Sequence, residues 1–224
     1  LLGISSSTVE RCYKSYLIRK KSHTKNASTP KVLGIDEKHF TKKKGYMTTL
    51  CDLKRHKVFD VTLGRSELSL NGYLNKLPDK DNCKIIVMDL SETYRSIARR
   101  HFKSAMIVAD RFHVVKLVNH HFLKTWADLD EVGRKNRGLL SLMRRHECNL
   151  KEEQRINLRR YLKLNPALEI LYDFKQSLMS LVLARVYSKQ QAKHLIPQFL
   201  KSIEMLKGCG FRWMEVLGKT LESW

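Results

Sequence analysis

Three aspartates each follow a short apolar run: Asp36 after Val32-Leu33-Gly34-Ile35, Asp89 after Ile85-Ile86-Val87-Met88, and Asp110 after Met106-Ile107-Val108-Ala109. One aspartate at a strand end ordinarily serves a turn or caps the next helix. Three of them in one sheet point further, because carboxylates sharing a cleft repel one another unless a cation compensates. Small divalent cations prefer such hard oxygen ligands. Two of these ions, roughly 3.5–4 Å apart, stabilise the attacking and leaving oxygens when a phosphodiester is cut or joined. The expected cofactor is therefore Mg2+ (or Mn2+), as two ions, with Asp36 and Asp89 as ligands. Glu37 comes next in the same strand, so it points to the opposite face and is expected to be structural or supporting.

The elements that must position these residues alternate in a definite order. Residues 32–35 read as a first strand. Gly45 to Asp52 and His56 to Leu63 are β-rich runs joined by a polar turn, which predicts an antiparallel hairpin. Ser66 caps a helix with Leu70, Tyr73, Leu74 and Leu77 on its apolar face, stopped by Pro78. The apolar runs before Asp89 and Asp110 are two more strands. A helix near Ser91 (Tyr94, Ile97, Ala98, Phe102) lies between them, and another starts about Phe112. The order β-β-β-α-β-α-β-α predicts an α/β fold with an RNase H-like mixed sheet over residues 32–126. In that order the first and fourth strands are neighbours, so Asp36 and Asp89 would share a cleft.

Two flanking regions differ from this core. At the N-terminus, Gly3 precedes Ser7 and Glu10 at capping-box spacing, and Val9, Cys12, Tyr13, Tyr16 and Leu17 form a helical stripe. A turn followed by a capped basic helix over residues 1–18 reads as the C-terminal part of a helix-turn-helix; an ordinary surface helix is the alternative. The candidate DNA contacts there are Ser7, Thr8, Arg11, Lys14, Arg19, Lys20 and Lys21, with 19–31 an acid-free basic linker. Residues 127–224 read as all-helical, with a stripe of Leu168, Leu171, Tyr172, Lys175, Leu178 and Met179 and with Pro166 and Pro197 near helix boundaries. A helical insertion for packing or DNA contact is expected.

The chain carries 43 Lys plus Arg against 22 Asp plus Glu, a net charge of +21 in 224 residues. That excess calls for a polyanionic partner, most simply nucleic acid. The 42% of apolar residues lie in periodic runs, which argues against disorder. No apolar stretch is long enough to span a bilayer. The cysteines at 12, 51, 83, 148 and 209 contain no close pair, so neither a disulfide framework nor a structural zinc site is expected, and a cytoplasmic setting fits. Lys42, Lys43 and Lys44 follow the first aspartate and Arg95, Arg99, Arg100 and Lys103 follow the second. Both groups are solvated faces or phosphate contacts. Trp126 and Trp213 read as core residues rather than base-stacking platforms.

These residues together resemble a DDE transposase of bacterial insertion sequences, the ISL-three family. The matching strings are Gly34-Ile35-Asp36-Glu37, Tyr46, Gly64-Arg65, Val87-Met88-Asp89 and, most specifically, Asp110-Arg111-Phe112-His113-Val114-Val115-Lys116. The resemblance implies metal-dependent DNA strand cleavage and strand transfer at insertion-sequence ends. It further implies double-stranded DNA partners (terminal inverted repeats and target DNA), a homo-oligomer on DNA and a nucleoid-associated location. Asp36 matches the first catalytic acid and Asp89 the second. Asp110, Arg111 and His113 are candidate cleft residues; Asp110 touches metal, orients Arg111 or caps the next helix. His113 meets the scissile phosphate or a leaving hydroxyl, or is a hydrogen-bonded helix residue.

The family's third acid, a glutamate in a Thr-Asn-Gly-x-x-Glu context, is not found. Glu204, Glu215 and Glu222 lack that context, so the third acid is expected beyond Trp224 and the start of the helix-turn-helix before Leu1. Such a fragment would be inactive alone. Two other readings stay open: a non-catalytic DNA-binding protein derived from a mobile element, and an RNase H-like nuclease or resolvase.

Overall fold

The computed structural model describes residues 28–41, 45–185 and 188–224, together with positions 8, 11 and 15. Thr8, Arg11 and Ser15 are helical. The other expected DNA contacts (Ser7, Lys14, Arg19, Lys20, Lys21, Lys42, Lys43 and Lys44) lie outside the described residues, as does most of the basic linker. The chain divides into two compact units, Leu1–Val108 and Ala109–Trp224. No helix among the described residues is long and apolar enough to cross a membrane.

The first unit is built on a mixed five-stranded sheet in the order β3-β2-β1-β4-β5. Its strands are β1 (Val32–Thr41), β2 (Gly45–Asp52), β3 (Lys57–Leu63), β4 (Ile85–Met88) and β5 (Met106–Ala109). β2 pairs antiparallel with β1 and β3, whereas β4 pairs parallel with β1. Helices α1 (Glu67–Asn75) and α2 (Glu92–His101) follow β3 and β4. Both start where a serine side chain accepts from a first-turn amide: Ser66 from Ser69 and Ser91 from Tyr94. Buried Leu33 and Ile35 of β1, Leu50 of β2, and Ile86 and Met88 of β4 alternate onto one sheet face. Buried Leu70, Leu74, Tyr94, Ile97 and Ala98 complete that core from the helices. Each such aliphatic side chain contributes about 1.5–3 kcal/mol by leaving water.

β1 departs from expectation in a way that matters for the site. The apolar run stops at Ile35, yet the strand continues through Asp36 to Thr41. The cause is β2, whose residues 45–49 pair with 36–41 and carry β1 past the point where β4 ends. Asp36 is therefore a mid-strand residue, not a terminal one.

The second unit is helical: α3 (Arg111–Leu129), α4 (Glu131–Lys135), α5 (Arg137–Arg144), α6 (Glu152–Lys163), α7 (Pro166–Leu183), α8 (Lys189–Lys207) and α9 (Arg212–Glu222). α3 packs against α7 and α9, α6 against α7, and α8 against α9. Sequence alone ended the sheet-bearing core at residue 126; by contacts, α3 goes with the helical unit. Trp126 is fully buried, and its indole donates to the Tyr161 hydroxyl at 2.8 Å, which in turn donates to Asp130 at 2.5 Å. Pro166 begins α7, as expected of proline. Pro197 does not mark a boundary but lies inside α8. The apolar residues Leu195, Phe199, Ile203 and Leu206 continue across it, and burial of the last two holds the helix despite the missing hydrogen bond.

Candidate active site

The strand register brings two of the predicted acids together. Ile35 of β1 sits opposite Met88, the last residue of β4. The next residue of each chain is an aspartate, Asp36 and Asp89, on the sheet face opposite Leu33, Ile35 and Met88. Asp36 is solvent-exposed, and its Oδ1 accepts from the Glu37 amide at 2.9 Å, which fixes the rotation of the carboxylate. Asp89 is half-buried, with Oδ1 fully covered. It lies two residues ahead of the Ser91 cap of α2, so its backbone is held by a strand end on one side and a helix start on the other.

Two neighbouring groups report on the carboxylates. Cys51 shares a face with Asp36, and its thiol is pushed up by burial and then by the Asp36 charge. The phenol of Tyr94, 1% exposed, is pushed up to about 12. Burial is the main cause, and Glu37, Asp89 and Asp36 add to it. One buried hydroxyl thus senses all three acids. Thr48 Oγ1 donates to the Gly64 carbonyl at 2.7 Å, which uses its single proton. The 2.9 Å contact between Tyr94 and Thr48 must then be donated by tyrosine.

Glu37 points to the face opposite Asp36, as expected, and pairs with Arg65 at 3.3 Å. The Arg65 guanidinium also lies 3.8 Å from the Tyr46 ring centroid, and Tyr46 packs edge-on against His39 at 5.3 Å. Gly64 makes this arrangement possible. Its φ is +92°, its amide donates to Tyr46 at 2.8 Å, and a Cβ there would lie 2.3 Å from the Ser69 hydroxyl. The strings around 34–37, 46, 64–65 and 87–89 therefore lie along β1, the aspartates on one face and the Glu37 cluster on the other. In the sequence Tyr46 and Arg65 carry no role, and Thr48 carries no signal, since its two partners, Gly64 and Tyr94, lie in separate parts of the chain.

The remaining candidates belong to the helical unit. Asp110 Oδ1 accepts from the Phe112 amide at 2.9 Å, making it the N-cap of α3, one of the roles sequence left open. Arg111 is exposed, and His113 is half-buried with its ring edge-on to Phe112 at 5.5 Å. The late glutamates have structural partners: Glu204 and Glu222 both hold Lys207, and Glu215 accepts from the Gly210 amide. Of the arginines after Asp89, Arg95 pairs with Glu92 and Arg100 with Glu67. Trp213 is half-buried rather than core, with Lys124 4.0 Å from its centroid.

Two carboxylates from adjacent strands are a donor set suited to magnesium, which keeps several waters and binds through one or two carboxylates plus substrate phosphate. Among the described residues, no group of three or more His, Cys, Asp or Glu is placed to hold a metal ion. The described cysteines are free thiols. No curated protein matches the chain. A family model described as a transposase, of the ISL3 DDE type, matches residues 33–224.

Proposed function

The chain belongs to the ISL3 family of DDE transposases, and from that footing we propose that Asp36 and Asp89 form the metal-holding pair of a DNA strand-cleaving and strand-joining site. The observation that carries this reading is the register Ile35 to Met88, which makes the two aspartates same-face neighbours at the end of β4. The strand order, with an antiparallel β1-β2-β3 meander and a parallel β4, supports an RNase H-like description of the sheet. DNA is the partner that family membership implies, and the net charge of +21 suits it.

Mg2+ or Mn2+, bound as two ions, would supply charge stabilisation at the attacking and leaving oxygens of a phosphodiester. This chain's own residues do the positioning. Asp36 is oriented by its neighbouring amide, and Asp89 is anchored between β4 and α2. Glu37, Arg65 and Tyr46 brace β1 from the opposite face. Tyr94 and Thr48 tie α2 to β2 beneath the carboxylates, with every proton assigned. Arg111 and His113 are proposed to meet DNA phosphate, and Asp110 to set the start of the helix bearing them. Residues 1–18 are proposed to bind the terminal inverted repeats, and a homo-oligomer to hold two ends together.

Asp36→Asn or Asp89→Asn, made in the protein assayed with Mg2+ on insertion-end DNA, should abolish cleavage and leave end binding nearly intact. Undiminished cleavage in either variant refutes the assignment. Pre-cut ends distinguish a transposase from a simple nuclease, because only the former joins them to a target.

A further inference from the structure

The helical unit carries a basic groove that none of the assigned roles uses. About 660 Å3 in volume, it is lined by Lys124 of α3, Arg134 and Lys135 of α4, and Arg137 and Arg144 of α5. Glu131 is the one acid lining it, and that carboxylate is tied to Lys135 at 2.6 Å. Among the described residues, Lys124, Arg134, Arg137 and Arg144 have no carboxylate partner.

Three features separate this groove from an ordinary solvated face. Its cations come from three successive helices and converge, although like charges brought together cost free energy unless an anion joins them. Two of them are fixed in advance. Arg134 Nε donates to the Leu123 carbonyl at 3.3 Å with its guanidinium 5.8 Å from the Trp126 centroid, and Lys124 lies over Trp213. Side chains already held lose less freedom on binding. Finally, Arg137 is the first residue of α5, where the helix dipole opposes a positive charge and no acid in the first turn offsets it. Arg137 and Arg144 are seven residues apart, two turns along one helix face, so they present charges about 10 Å apart along a line.

We propose that this groove is a binding track for the sugar–phosphate backbone of duplex DNA, separate from the aspartate pair. The inference rests on DNA being the partner and adds where, on the helical unit, the duplex is held. It reads phosphate, not sequence, so its contribution is uniform over DNA sequences and steeply salt-dependent.

The test is a salt titration of binding to a labelled duplex of arbitrary sequence, using the full chain. Arg137→Gln/Arg144→Gln should weaken binding about eightfold per lost contact near 0.1 M salt and lower the slope of log K against log salt by about 0.9 per contact. Lys163→Gln/Lys201→Gln removes the same charge from exposed sites on α6 and α8 and should change little. In the wild-type protein, duplex should protect Lys124 and Lys135 from acetylation. Equal losses in both double variants, or no loss and no protection, overturn the groove. The wild-type protein is measured first: if it fails to bind duplex, the DNA reading falls with the groove, whereas binding that ignores the groove variants sinks the groove alone.

Discussion

Lys175 offers the sharpest energetic test of the helical unit. Its side chain is 0% exposed, with Nζ donating to the Met143 carbonyl at 2.5 Å and the Arg145 carbonyl at 3.2 Å. The rings of Phe122 and Tyr172 lie 5.2 and 5.1 Å from the same nitrogen. Two acceptors satisfy a neutral amine's two protons but not an ammonium's three. Burial accordingly lowers the amine to about 7 from its ordinary 10.5, with Glu147 only partly restoring it. The folded protein then binds fewer protons than the unfolded chain between those values, so stability rises with pH across that window. It is flat below about 7, where both states are charged. The slope approaches about 1.4 kcal/mol per pH unit, and the whole window is worth roughly 5 kcal/mol.

Urea denaturation from pH 7 to 9, followed by circular dichroism, reads this directly as a midpoint that moves up with pH. Lys175→Met keeps the apolar stem, removes the titration and should flatten the profile. The two carbonyls lose a donor, at about 1 kcal/mol each, although Gln176 still serves Arg145. The comparison with this variant is essential, because Cys51 and Cys83 are both pushed up by burial and pull the other way above the ordinary thiol range. A wild-type midpoint that is flat from pH 7 to 8.5, or a slope that survives in Lys175→Met, refutes the argument.

Two further substitutions probe the support of the aspartate pair. Gly64→Ala combines a left-handed backbone with a Cβ driven into Ser69, and should cost about 2 kcal/mol or more by thermal or urea unfolding; unchanged stability contradicts the packing described. Tyr94→Phe deletes a buried hydrogen bond to Thr48 and should cost about 1–2 kcal/mol while leaving metal-dependent cleavage nearly unchanged. A loss of cleavage as complete as in Asp36→Asn would instead place Tyr94 in the chemistry.

Much of the first unit was legible from local signals. Apolar runs, the polar turn before Lys57, and Ser66 and Ser91 as caps mark nearly every boundary, since each is decided within a few residues. β1 escaped that reading because its continuation depends on β2, a partner ten residues away. The side chains around Arg65 escaped it for the same reason: Glu37, Tyr46 and Arg65 meet only after a hairpin forms. Lys175 was visible as an oddity, a lysine inside a leucine stripe, but its pair of carbonyl acceptors belongs to the C-terminal end of α5, some thirty residues earlier. The basic groove was hidden because its five cations are spread over three helices, each unremarkable alone.

The unequal lengths of β1 and β4 carry a last consequence. β4 has four residues and β1 ten, so from Asp36 onward β1 changes from an interior strand to one without its β4 neighbour. The aspartate pair occupies the step at which the sheet narrows. No loop insertion is needed to uncover β1 there; terminating one strand early does so. Extending β4 by even a residue or two would draw Asp89 into the ladder and cover that stretch of β1. The brevity of β4 is thus a condition for the chemistry proposed at this position rather than an economy of the fold.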